Sequence, residues 1–394
     1  MQKLILFTFF ITINLCSQWI QVNNGLSNRQ VNSLVKSGNI LFAGTWPDSG
    51  VYISTNYGLN WVRSSLNTFI VNSFTIQQNN IFVNTYLEGI FLSTNYGQNW
   101  NQTFLNNYDV NAFVINNSNY IAGNGHLKGI YTSTNFGLNW NQALNNVDVN
   151  DIVAKDNYIF AGTTNNGIYQ SSNNGLSWSL VPINTSTVYS LSTELSIIVA
   201  AAYRGVFLST NNGLYWFAID SNYQVPIPYS VEIMANNIFV GTMGYSVFFT
   251  SNNGDNWLHI DQGMNNARVT SLCVLNEYIF AGTTLNGVYR RHLSEIIGLQ
   301  NISEEIPDKF FLSQNFPNPF NPITNINFGL PQKTFVKLVI FDLQGREVLQ
   351  LVNNELSAGL YNIDFDASHL PSSVYFYSIV AKNFFEVKKM VLVK

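Results

Sequence analysis

The chain has 394 residues, enough for two or three domains, and at 46% hydrophobic and 14% aromatic it can bury a large core. Only 10% of its residues are charged, against roughly 25% in ordinary soluble domains, so its polar surface must be Asn, Ser, Thr, Gln and Tyr. The net charge is −4 and no basic stretch stands out, so the cationic face needed for non-specific nucleic-acid binding is missing.

The first residues predict an export signal. Lys3 gives a positive start, residues 4–15 form an apolar run too short to span a bilayer, and small Ser17 precedes Gln18 at a plausible cleavage point. Cys16 follows Leu15, a residue large for a lipoprotein site. Beyond residues 1–17 the single cysteine is Cys273, inside the apolar run VTSLCVL, which reads as a small core residue.

One phrase then recurs. STNYGLNW (54–61) is followed by STNYGQNW (93–100), STNFGLNW (133–140), SSNNGLSW (171–178), STNNGLYW (209–216) and TSNNGDNW (250–257). The tryptophans Trp61, Trp100, Trp140, Trp178, Trp216 and Trp257 are spaced by 39, 40, 38, 38 and 41 residues. A period near 40 means stacked supersecondary units. Each unit holds short stretches that alternate at period two between Gly and Asn turns, such as VNSLVKSG, NILFAGT and GVYISTN, with no capped helical pattern. Four short strands per unit predict propeller blades, seven of them over residues 18–291. The last unit lacks the phrase, and QWIQVNNGL (18–26) matches the missing final strand, with Trp19 in the Trp position. The N-terminal strand is therefore expected to complete the last blade and hide the open edges.

Within the phrase, a side-chain oxygen at the third position can accept turn N–H groups, Gly supplies positive φ, and Trp buries a large area. The phrase resembles the Asp-box, or BNR repeat, of sialidases and related propellers, S/T-x-D-x-G-x-x-W on the hairpin between the third and fourth strands. The matching positions are Ser54, Gly58 and Trp61; Ser93, Gly97 and Trp100; Ser133, Gly137 and Trp140; Ser171, Gly175 and Trp178; Ser209, Gly213 and Trp216; and Thr250, Gly254 and Trp257. Every copy has Asn in place of the family's Asp: Asn56, Asn95, Asn135, Asn173, Asn211 and Asn252. The resemblance implies a structural box, remote from any ligand.

Positions that differ between units are free to bind. The first-strand residues Asn32, Asn72, Asn111, Asn150, Tyr189, Tyr229 and Thr270 correspond, but alternation does not say which face of that strand meets the channel. The link between strands two and three varies most and shares a rim with the blade-to-blade link. It gathers the ligand-binding candidates Trp46, Asp48, Tyr86, Glu88, His126, Lys128, Tyr203, Arg204 and Tyr245, rigid aromatics with a few charges that suit sugar or protein recognition.

After Arg291 the pattern changes. Residues 292–309 carry several acids and read as a linker, and residues 310–394 alternate like a small Ig-like β-sandwich. NFPNPFNP (315–322), FDLQGREV (341–348), AGLY (358–361), SSVYFYSI (372–379) and KKMVLVK (388–394) together resemble the type A C-terminal sorting domain of the Bacteroidetes-type type IX secretion system. The matching residues include Asn315, Pro317, Pro319, Gly345, Arg346, Gly359, Lys388, Lys389 and Lys394, while Ser373 stands where the family usually has Gly. The resemblance implies export by that machinery, with the protein released or held at the outer-membrane surface.

No catalytic set is expected. Sialidases grip a carboxylate with an arginine cluster, the first arginine in an Arg-Ile-Pro motif, and no arginine here is followed by Ile-Pro. Of Arg29, Arg63, Arg204, Arg268, Arg290 and Arg291, only Arg29, Arg204 and Arg268 fall in links on the variable rim. The rim acids Asp48, Glu88, Asp109 and Asp148 leave a xyloglucanase-like hydrolase as the alternative. His126, His259 and His292 lack metal-ligand spacing, and no phosphate or dinucleotide loop occurs. The expectation is a monomeric all-β protein without cofactor or metal, binding extracellular glycan or protein. A periplasmic assembly factor resembling photosystem-assembly propellers is a third reading, against which the sorting tail stands.

Overall fold

The computed structural model describes residues 18–394 except 27–29, 48–49, 67, 69, 104, 107, 195–196, 221–223, 235–236, 297–298, 304–305, 357 and 368–369. The expected export signal, Asp48 and Arg29 lie outside the described residues. The chain divides into two compact units near residue 302.

The first unit is a β-propeller. Among the described residues it holds seven four-stranded antiparallel sheets, and six of them use four consecutive strands. Blade 1, for example, runs Gln30–Ser37, Ile40–Trp46, Val51–Ser54 and Val62–Arg63. Blade 7 takes Val269–Leu275, Tyr278–Thr283 and Val288–His292 from one end of the repeat and Ile20–Gln21 from the other. Gln21 pairs with Tyr289 and Ile20 with Arg290, as the distribution of the phrase predicts. The first strand of each blade lies beside that of the next, and the first strand of blade 7 returns to that of blade 1. The ring is closed.

The second strands are the most buried, as their unbroken apolar runs require. Leu41, Ile81, Ile121, Ile159, Ile198, Ile238 and Ile279 are all at 0% exposure. The core lies between blades, because each sheet packs a face on its neighbour. The glycine that closes the FAGT run explains how closely. A Cβ on Gly44 would stand 2.3 Å from Val71 of blade 2, and one on Gly282 would stand 2.8 Å from Val31 of blade 1.

The repeated phrase forms the turn that its chemistry predicts. In blade 3, Ser133 Oγ donates to Asn135 Oδ1 (2.9 Å) and accepts from Gly137 N–H (2.9 Å), while Asn135 Oδ1 also accepts Asn139 N–H (2.9 Å). Gly137 has φ +84°, and Phe136 before it is also left-handed at +57°. The same pair of positive φ values recurs in every copy, from Tyr57 and Gly58 to Asn253 and Gly254. Trp61 is fully packed and donates to Val22 O (2.8 Å), whereas Trp100, Trp140 and Trp178 are half-buried and donate to the carbonyl of their own turn glycine.

The second unit is a sandwich of two four-stranded sheets. One is ordered Leu299–Ser303, Gly359–Asp366, Ile323–Leu330, Phe311–Leu312; the other Glu347–Leu356, Thr334–Phe341, Ser373–Ala381, Phe384–Leu392. Ile326, Phe328, Leu338, Ile340, Tyr377 and Ile379 are fully buried, and burial alternates with exposure along residues 323–328. The stretch 292–309, read from sequence as a linker, contains a 3-10 turn at Leu293–Glu295 and the strand Leu299–Ser303.

The phrase's stabilising role is testable at one copy. Asn135→Ala removes the acceptor of two hydrogen bonds and should lower stability by about 1–2 kcal/mol, whereas Asn135→Asp keeps both and should cost under about 0.5 kcal/mol, read from urea midpoints.

Candidate binding rim

The register fixes what shares a rim. The first strand begins opposite the end of the second, as Gln30 opposite Trp46 and Val71 opposite Thr85 show. The strand two–three links and the blade-to-blade links therefore surround one mouth of the ring, and the phrase hairpins surround the other.

Every first strand has a bulge at its mouth end. Pairing skips one residue between Val31 and Ser33, Val71 and Ser73, Val110 and Ala112, Val149 and Asp151, Val188 and Ser190, Pro228 and Ser230, and Val269 and Ser271. The skipped residues are Asn32, Asn72, Asn111, Asn150, Tyr189, Tyr229 and Thr270, the series that the repeat alignment marks. A bulge re-aims its side chain, which a strict two-residue alternation does not anticipate.

These side chains bridge the blades. Asn32 Nδ2 donates to Val71 O (3.1 Å), Asn72 to Val110 O (3.0 Å), Asn111 to Val149 O (2.8 Å) and Asn150 to Val188 O (2.9 Å). Thr270 Oγ1 closes the circle by donating to Val31 O. Blades 5 and 6 interrupt the belt with Tyr189 and Tyr229, whose rings pack at 5.2 Å. The Arg268 guanidinium lies over the Tyr229 ring at 4.9 Å. It is exposed, and among the described residues no carboxylate pairs with it. The mouth thus has an amide sector and a tyrosine–arginine sector.

A buried acid anchors the amide sector. Asp109, 5% exposed, accepts from Asn72 Nδ2 on Oδ1 (3.1 Å) and faces His126 Nε2 from Oδ2 (3.3 Å). Burial raises its carboxyl above the usual range, opposed by the Asn72 hydrogen bond and the charges of His126 and Lys128. The exposed His126 ring stands edge-on to Tyr86 at 6.1 Å. His126 and Leu127 are both left-handed, at φ +54° and +58°, and Leu127 N–H donates to Asp148 Oδ1. Two consecutive strained residues, one facing Asp109 and the other held by Asp148, fix the loop rather than leave it free.

Tyr86 and His126 are the two sequence candidates brought into ring contact; Trp46, Tyr203 and Tyr245 are exposed at separate blades. Glu88, Lys128 and Arg204 turn to the blade-to-blade links. Glu88 Oε1 accepts from Thr68 Oγ1 (2.8 Å), Lys128 lies over the Tyr108 ring (4.9 Å), and Arg204 donates to Asn184 Oδ1 (3.3 Å). Tyr108 escapes sequence reading because it stands in a link without strand periodicity. Among the described residues no group of three or more His, Cys, Asp or Glu side chains is placed to hold a metal.

Two further acids stand in the ring wall. Asp151 accepts Ile152 N–H (2.8 Å) and, across to blade 5, Leu191 N–H (2.7 Å). Glu232 keeps part of its surface open but has protein around it, and it accepts Val274 N–H of blade 7 (3.2 Å). Desolvation outweighs these hydrogen bonds and pushes Asp151 up to about 6 and Glu232 up to about 7, with Lys36 opposing and Glu194 reinforcing the second shift. Their sequence signal is a break in the repeat, Asp151 and Glu232 standing where other blades have Ser, Ala, Val, Thr or Cys.

Comparison with known proteins bears on both units. Residues 314–394 match the family described as the secretion system C-terminal sorting domain. The type IX sorting domain marks the protein as a passenger of that machinery, secreted or attached to the cell surface. No curated protein matches the sequence. Among solved structures, YCF48 from Cyanidioschyzon merolae is similar at 13% identity and TM-score 0.57, covering 71% of this chain and 100% of that one. YCF48 bound to D1 peptide is similar at 13% identity and TM-score 0.54, covering 70% and 94%. The extracellular domain of the one component system BT4673 from B. thetaiotaomicron is similar at 12% identity and TM-score 0.56, covering 96% of this chain and 59% of that one. At these identities the likeness is one of fold.

The ring-wall acids make stability pH-dependent. A carboxyl whose folded pKa is raised favours folding fully below its unfolded value, and that contribution is lost as pH rises through the folded value. The urea midpoint should therefore fall as pH rises through about 6 and then about 7. Glu232→Gln should remove the upper step, worth at most about 3 kcal/mol, in midpoints measured across that range.

Proposed function

We propose that this exported propeller is a binding protein that holds an extracellular glycan or protein on the mouth bearing the seven bulges, without transforming it. The observation that carries this reading is the Tyr189–Tyr229–Arg268 face, a cation spread on an aromatic ring in the one sector where the amide belt is interrupted. Two tyrosines in contact, their rings tilted by 38°, offer apolar area at small entropic cost, and the guanidinium offers paired donors to an anionic or hydroxyl-rich group. The amide sector across the mouth supplies further donors and acceptors. The Asp-box resemblance assigns the opposite rim to scaffolding, which leaves this one for recognition. YCF48, whose structure bound to D1 peptide shares the fold, supports a protein as the ligand; the exposed Trp46, Tyr203 and Tyr245 serve a glycan equally well.

Asp109 supports one competing reading. A carboxyl held above its usual range near a second acid, Asp148, is what a glycoside hydrolase needs for its general acid. A glycan array and a cell-surface crosslinking screen with the full exported chain, each followed by analysis for cleavage products, separate the readings. Tyr229→Ala and Arg268→Gln should weaken the captured ligand about tenfold or more and leave the urea midpoint nearly unchanged. Product release that Asp109→Asn abolishes would replace binding with hydrolysis.

A further inference from the structure

The last strand of the sandwich, Phe384–Leu392, carries the sorting lysines Lys388 and Lys389 and is the edge of its sheet. One side of it pairs with Ser373–Ala381. The other side would expose unpaired main-chain groups, the usual liability of an edge. It is covered instead by the segment 312–320, which holds the motif Asn-Phe-Pro-Asn-Pro-Phe. Asn318 acts there as a peptide unit: its Oδ1 accepts Val391 N–H (2.9 Å) and its Nδ2 donates to Lys389 O (3.2 Å). Gln314 Nε2 donates to the same Lys389 O (2.7 Å). The backbone of Phe320 continues the pairing, donating to Val391 O (2.9 Å) and accepting Val393 N–H (3.0 Å). Further back, Leu312 N–H donates to Glu386 Oε2 (3.2 Å), and Glu386 Oε1 holds Lys388 Nζ at 2.6 Å.

The segment is itself pinned. Buried Asn315 donates from Nδ2 to Thr324 Oγ1 (2.9 Å) and Pro317 O (3.0 Å), and its N–H donates to the buried Tyr377 hydroxyl (2.7 Å). Phe316, between these anchors, points outward at 78% exposure.

We propose that Asn318 and Gln314 are positioning residues of the sorting signal: they act by closing the edge of the C-terminal strand and fixing the register in which its lysines are presented. The motif near residue 315 and the basic strand near residue 390 are then one element read through the strand. A motif read directly by the export machinery would offer its exposed aromatic side chain, Phe316. The proposal rests on the sorting-domain match and is independent of what the propeller binds.

The test uses the full chain in a host with type IX secretion, measuring the exported fraction, together with hydrogen exchange of residues 388–394 in the purified protein. Asn318→Ala should raise exchange at Val391 and Val393 about tenfold and cut export, with Gln314→Ala weaker in the same direction. Phe316→Ala should change neither. Asn318→Asp keeps the acceptor for Val391 and loses the donor to Lys389, so it should fall between and serves if the alanine variant fails to fold. Unchanged exchange in Asn318→Ala, normal export despite a loosened strand, or loss of export in Phe316→Ala with the strand still protected would each overturn the proposal.

Discussion

The innermost strand of each blade is an edge strand facing another edge strand, and that constraint organises the propeller. Neighbouring inner strands are splayed around the axis and form no backbone ladder with each other. Their inward main-chain groups still require partners. Side chains supply them across the blade boundaries: the bulged amides to the carbonyls of Val71, Val110, Val149 and Val188, Ser271 to Leu34 N–H, and Asp151 to Leu191 N–H. The bulge, the small residue after it and the buried acids all follow from this need. So does the shape of the mouth, because a side chain aimed at a neighbour's carbonyl also lines the opening. Where the belt gives way to Tyr189 and Tyr229, aromatic surface takes the place of the bulged amide, and at blade 6 the neighbouring Ser230 Oγ donates to Val269 O instead (3.3 Å).

The same device recurs in three settings. In the phrase hairpins an asparagine oxygen stands in for a backbone carbonyl; at the mouth an asparagine N–H stands in for a backbone donor; on the sorting unit Asn318 does both at once. A primary amide presents the peptide's own donor and acceptor without charge. This explains how a chain with only 10% charged residues satisfies so many edges. It also fits the uniform Asn where the box that the phrase resembles has Asp: each turn uses the side-chain oxygen, Asn173 adds a bond from Nδ2 to Ser177 Oγ (2.9 Å), and an uncharged carrier avoids desolvating a carboxylate.

The periodicity of the chain made its architecture legible, because six of the seven blades repeat a hairpin with strict chemistry and all seven repeat a second strand buried on both faces. The partnership of Ile20–Gln21 with the last blade was legible for the same reason, as a missing phrase at one end and a surplus strand at the other. The mouth was legible only in outline. The alignment marked Asn32 and its counterparts, but a bulge breaks the two-residue alternation from which orientation is inferred, so their direction needed coordinates. Link residues were harder still. Glu88, Lys128 and Arg204 directly precede the third-strand glycine and turn away from the channel, whereas Tyr86 and His126, two residues earlier, turn toward Asp109. The left-handed residues of these turns, Leu87 in one and His126 with Leu127 in the other, are not glycines and so give no sequence warning of the path the link takes.

Closure by the N-terminal strand has a consequence for how the ring forms. Trp19 N–H donates to Gln262 O (2.8 Å), Val22 N–H to Val288 O (2.8 Å) and Trp61 N–H to Asn24 O (2.8 Å), while the Trp19 indole donates to Ile260 O (2.6 Å). Blade 7 is therefore complete only when residues near position 20 and residues near position 290 are both present and free to meet. Until then the inner strands of blades 7 and 1 lack the partners that Thr270 and Ser271 provide between them. Contacts of such high sequence separation form late and hold the two ends of the ring together once formed. A single buried tryptophan, Trp19, seated between Ile260 and Gln262, thus carries the junction of the two ends of the ring.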